Sequence, residues 1–129
     1  MQKLLIEAEV TGFVLKNIVV EGWYDSKGNN LDISFGDLKE MDITGRCGFL
    51  RHKDGRIVEK CNECGAKDYE KQDEVDGLSV NLAEWDKSDM FYFRNWKGAI
   101  IVTERVKEIV EKSNLKNINF LNIKDFRFD

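Results

Sequence analysis

The chain has 129 residues, 42% hydrophobic and 34% charged, with 20 Lys and Arg against 24 Asp and Glu for a net charge of −4. That size and balance describe one domain able to bury a core of its own and exclude a disordered chain. The acidic excess argues against a phosphate backbone as the main partner, because such binding is driven by clustered basic charge. It suits solubility or a basic protein partner.

No apolar stretch approaches the roughly 18 residues of a membrane span. Glu7 interrupts the N-terminus where a signal peptide needs unbroken apolar sequence. Three cysteines, two of them as Cys61-x-x-Cys64, do not make a disulfide framework, so a cytoplasmic location is expected. Proline is absent, which leaves the turns to 10 glycines and to Asn and Asp.

In chain order, Leu4, Ile6, Ala8 and Val10 alternate with Glu7 and Glu9, the period of a half-buried strand. Gly12 punctuates, and Val14 to Val20 is a second apolar run broken by Lys16-Asn17. Asp25 to Asn30 is a turn by composition, followed by a short strand around Leu31 and Ile33. Residues 43–70 carry the cysteines, Glu70 to Gly77 is a charged loop, and Leu78 to Trp85 fits a strand or a short helix equally.

The last third is the clearest. Gly98 precedes the buried-strand run Ala99-Ile100-Ile101-Val102, and Thr103 is a good N-cap with Glu104 in the first turn. Val106, Ile109 and Val110 recur at i, i+3, i+4, which predicts a helix over 104–113. Ser113-Asn114 ends it, and Ile118, Phe120 and Ile123 suggest a final strand, closing a short β-α-β unit.

Around the cysteines, Phe49-Leu50-Arg51 and Arg56-Ile57-Val58 flank His52-Lys53-Asp54-Gly55, where Asp-Gly signals a hairpin turn. A hairpin there would bring Cys47 close to Cys61 and Cys64, as in a zinc ribbon whose two glycine-ended turns present thiolates to one ion. The glycines would supply positive φ. Aligning the two turns sets Thr44 where a fourth thiolate would stand, and His52 is the only histidine available to complete the set. Cys47, Cys61, Cys64 and His52 are therefore the candidate zinc ligands. The alternative is a degenerate knuckle that keeps its shape by hydrogen bonding and packing alone. A thioredoxin-type role for Cys61-x-x-Cys64 fits less well, because Gly65 follows at once and no apolar helical stripe comes after it.

Asp86 and Asp89 lie close together before the aromatic run and would suit acid–base work, or they cap a loop. No nucleophile-and-base set accompanies them. Trp85, Phe91, Phe93 and Trp96 read as core.

The paired turns, Thr44 to Gly48 and Cys61 to Gly65, resemble those of the double-CXXCG-motif proteins of bacteria. The order of Trp85 to Phe91, Gly98 to Glu104, the helix and Leu115 to Phe120 is similar to that family and to immunity proteins of polymorphic toxin systems. The resemblance covers roughly residues 43–123; Thr44 departs from its pattern, and the first 40 residues lie outside it. It implies a cytosolic protein without catalytic activity that binds and neutralises a cognate toxin; the acidic balance and the lack of a long apolar stretch add the expectation of no direct nucleic-acid and no membrane partner. The expected fold is α+β, a single domain over 1–129 of mostly antiparallel strands, with a ribbon-like insertion at 43–65 and one C-terminal helix packed on the sheet. The expected contact surface is acidic: Asp73, Glu74, Asp76, Glu84, Asp86 and Asp89. The rival function is a zinc-ribbon adaptor in a protein or nucleic-acid complex.

Overall fold

The run Met90-Phe91-Tyr92-Phe93 is apolar at every position, and such a strand is stable only when both its faces are covered. In the computed structural model, which describes residues 1–33, 38–64 and 78–128, it is the middle strand of a three-stranded sheet. The elements in order are α1 (Gln2–Glu7), β1 (Phe13–Asn17), β2 (Trp23–Tyr24), β3 (Asn30–Leu31), β4 (Lys39–Ile43), β5 (Gly45–Cys47), β6 (Met90–Phe93), β7 (Trp96–Val102) and α2 (Glu104–Lys112). A short 3₁₀ turn, Ile123–Asp125, follows. The fold is α+β. Pairing is antiparallel for β1–β4, β2–β3 and β6–β7, and parallel for β5–β6.

Side chains alternate across β6 and divide the interior in two. Phe91 and Phe93 face a cluster with Cys47, Leu50, Val58, Trp96 and Ile101, against which Phe126 and Phe128 pack. Met90 faces a second cluster with Leu5, Val10, Ile43, Val106 and Val110, and Tyr92 packs against it. The sheet thus lies between the two helices on one side and the hairpin at 50–58 with the C-terminal aromatics on the other.

Helix α2 forms where the periodicity predicts it, with Val106 and Val110 buried. Thr103 stands at its N-cap, but its hydroxyl donates to Asp89 Oδ1 rather than accepting from the first turn. The Asp25 turn also forms. Its carboxylate accepts from the Lys27 and Asn29 backbone and from Asn29 Nδ2, which holds that carboxyl below its usual pKa.

Four expectations are corrected. Residues 4–10 are not a strand but a helix and its stop: α1 ends in a Schellman motif, with Glu9 at φ 52° and Val10 N–H reaching back to Leu5 O. The apolar contact that accompanies such a motif is present, since Leu5 and Val10 share one cluster. Residues 118–123 form no strand; Ile118 and Phe120 pack on the second cluster as irregular chain, so the β-α-β unit is not completed. Leu78 to Trp85 is neither strand nor helix but a turn organised by Asn81, which accepts from Ala83 N. Gly48 does not adopt positive φ; it is small because the Glu84 side chain lies over it, 2.1 Å from where a Cβ would be.

The Asp-Gly hairpin does form. His52 N–H donates to Arg56 O at 2.8 Å, Gly55 N–H to His52 O at 2.9 Å and Val58 N–H to Leu50 O at 3.0 Å. Its base is clamped by Asn95, in the β6–β7 turn. Asn95 Oδ1 accepts from Leu50 N, and its Nδ2 donates to Leu50 O and Val58 O. Asn95→Ala would strand the buried Leu50 N–H and Val58 carbonyl. Urea unfolding should read a loss of about 2 kcal/mol, and unchanged stability would show that water replaces the clamp at no cost.

Candidate functional site

Among the described residues, the four candidate ligands are not brought together. Residues 45–47 are not a turn but strand β5, pairing in register with Phe91–Phe93. Cys47 therefore points into the first cluster, is 0% exposed, and directs its thiol at Tyr92 O, 3.6 Å away. Burial pushes that thiol up to about 11, and the Asp86 and Glu84 charges add to the shift against the opposing pull of its own backbone N–H and of Arg94. Cys64 is exposed on the turn at 62–64, and Cys61 is half-buried beside it. His52 sits in the hairpin turn, with Nδ1 buried and lacking a hydrogen-bond partner among the described residues. Among the described residues no three His, Cys, Asp or Glu side chains gather as metal ligands would. Zinc needs thiolates converging on one point, and among the described residues these four side chains do not converge. Gly65, the second knuckle's glycine, lies outside the described residues.

This placement sets an order of thiol reactivity, because only thiolate attacks an alkylating agent. Limited iodoacetamide treatment of the folded protein should label Cys64 first and Cys47 only after denaturation, read by peptide mass. Chelator should leave the melting temperature unchanged. Native labelling of Cys47 at the rate of Cys64 would place it outside the core.

The carboxylates next to the aromatic run are occupied by the framework. Asp86 Oδ2 accepts from Arg46 N at 2.7 Å, its Oδ1 accepts from Ser88 N, and its own N–H donates to Arg46 O. It thereby continues the edge of β5. Asp89 Oδ2 accepts from Thr11 N at 3.0 Å, from the Thr11 hydroxyl at 3.2 Å and from Arg105 Nη1 at 2.8 Å. Arg105 also donates to Ala8 O, and the Asp89 N–H returns to the Thr11 hydroxyl. For both carboxyls burial acts upward, but these hydrogen bonds outweigh it and hold them below the usual range. That is the behaviour of structural groups that stay ionised at neutral pH. It is the opposite of an acid tuned to give up a proton near neutrality.

Of the other acids expected at a contact surface, Glu84 accepts from Asn81 Nδ2 and lies 3.5 Å from Arg51. Asp73, Glu74 and Asp76 lie outside the described residues.

Large apolar side chains also stand on the outside, a feature that sequence reasoning did not single out. Val19 is 92% exposed, Leu82 73% and Tyr24 61%, with Val20, Leu31 and Ile33 also exposed. The signal was in the chain: Ile18-Val19-Val20 continues an apolar run past Asn17, where β1 stops. No described helix is long and apolar enough to cross a membrane. Comparisons with protein-family models, curated proteins and solved structures found no match to this chain.

Proposed function

We propose that the chain is an immunity protein, binding a cognate bacterial toxin in the cytoplasm and neutralising it by protein–protein contact without catalysis of its own. The observation that carries this reading is the division of labour among side chains. Asp86 and Asp89, the pair best placed for acid–base work, spend their oxygens on backbone and threonine donors and on Arg105. Meanwhile Val19, Tyr24 and Leu82 present apolar surface to solvent. Exposed apolar groups with a polar surround suit a protein interface. The resemblance over residues 43–123 points the same way, and the net charge of −4 suits a basic toxin.

The test is protection. The C-terminal domain of a secreted protein encoded beside this gene would be expressed with and without the chain. Survival together with co-elution of the two proteins is the expected result. Death of cells that hold abundant soluble chain would overturn the reading. Neutralising Asp73, Glu74 and Asp76 in the same assay examines whether the acidic loop takes part.

A further inference from the structure

The segment 18–33 contributes no side chain to either buried cluster. It holds β2 and β3, two residues each, joined by the Asp25 turn. A pair this short is marginal unless something covers a face of it. Trp23 is half-buried, but most of its other apolar residues point outward: Val19, Val20, Tyr24, Leu31 and Ile33 are all exposed. Val20, Leu31 and Ile33 line one shallow groove of about 430 Å³. The Tyr24 ring is held on the surface by lying across Gly22, its carbons 3.1 Å from where a Cβ would stand. Glu21, Asp25 and Asp32 are interleaved with these residues, against the single base Lys27 within 18–33, so the segment is both apolar and negatively charged, and Asp32 lines the groove itself.

We infer that this hairpin is a docking surface for an extended, basic-apolar segment of a partner protein, whose alternate side chains enter the groove while its Lys or Arg meet Glu21 and Asp32. Charge decides between occupants. A second copy of the chain would bring the same acids face to face and be repelled. A basic segment gains both the apolar burial and the attraction, and extended peptides commonly bind by adding to an existing strand pair. This rests on the protein-binding reading above and names the surface and the partner's chemistry.

The probe is a capped heptapeptide of alternating Lys and Val, with a Glu–Val heptapeptide as control, titrated into the isotope-labelled full chain and followed by NMR. The expected result is shifts confined to residues 18–33 for the Lys–Val peptide, weakened by salt, and none for the control. Combining Val20→Ser with Ile33→Ser removes two exposed groove-lining side chains that belong to neither buried cluster, so the fold is retained, and binding should weaken about tenfold, or 1.4 kcal/mol. Equal response to both peptides, shifts elsewhere, no shifts at all, or concentration-dependent self-association through these residues would each overturn the inference. In the protection assay, a double variant that protects like wild type sinks this surface and leaves immunity standing. Failure of the wild type to protect sinks immunity alone.

Discussion

Gly12→Ala should be the most damaging glycine-to-alanine change among the described residues, lowering stability by about 4 kcal/mol out of a typical total of roughly 5–15. Gly12 has φ +92°, and a Cβ there would stand 2.1 Å from the Met90 carbonyl oxygen and 2.9 Å from the Ser88 Cβ. Positive φ costs an alanine about 1–2 kcal/mol, and forced overpacking a further 1–3 or more. The backbone cannot retreat cheaply. Gly12 O accepts from both Thr44 N at 2.9 Å and Gly45 N at 3.1 Å, while Thr11 O accepts from Met90 N at 3.1 Å. These bonds fasten the N-terminal arm to the middle of the sheet, so moving Gly12 loosens three segments together. Gly55→Ala is the control, because Gly55 has φ +89° with nothing within 4 Å of its would-be Cβ. It should cost only the conformational part, about 1 kcal/mol. A melting temperature lower by about 15 °C for the first and a few degrees for the second is the expected contrast. Equal losses would mean that the close approach to Met90 has no energetic weight.

What could be read in advance divides by the distance over which it is decided. Helix α2 was legible because Thr103, Glu104 and the Val106–Ile109–Val110 stripe each point to it within one short window. The turns at Asp25 and at Asp54-Gly55 were legible for the same reason, each being specified by its own residues. Helix α1 was not. Six residues hold too little periodicity to overrule the alternation of Leu4, Ile6, Ala8 and Val10, and its stop is Glu9 in a left-handed conformation with no glycine to mark it. The tail misled differently: Ile118, Phe120 and Phe126 are apolar because they cover the clusters, and covering a core requires no strand. Cys47 shows the limit most clearly. A Cys-Gly pair reads the same whether the thiol meets a metal or a hydrophobic core. Only the parallel pairing of 45–47 with 91–93, set more than forty residues away in sequence, turns it inward.

By sequence the Asp89 carboxylate suits acid–base chemistry, but its environment makes it a structural tie. It joins Thr11 on the N-terminal arm to Thr103 and Arg105 at the start of α2, and its side chain is only 13% exposed. Asp89→Ala would leave Thr11 N–H and two threonine hydroxyls without their acceptor and take away the charge partner of Arg105, which would keep only Ala8 O. The loss should be about 3 kcal/mol. Asp89→Asn keeps the shape: its oxygen can accept from Thr11 N and its amide can donate to the Thr103 hydroxyl, leaving only the Arg105 pairing lost, for about 1 kcal/mol. The pH dependence separates charge from shape. Hydrogen bonding and Arg105 hold the folded-state carboxyl below its usual value despite burial, so the unfolded chain binds the proton more readily. Its contribution is complete above the unfolded value near about pH 4 and is lost as pH falls through the lower, folded one. Wild type should therefore lose more stability than Asp89→Asn between about pH 5 and pH 2, the two curves converging at the acid end. Parallel curves across that range would show that Asp89 holds the arm by shape alone and that its charge contributes nothing.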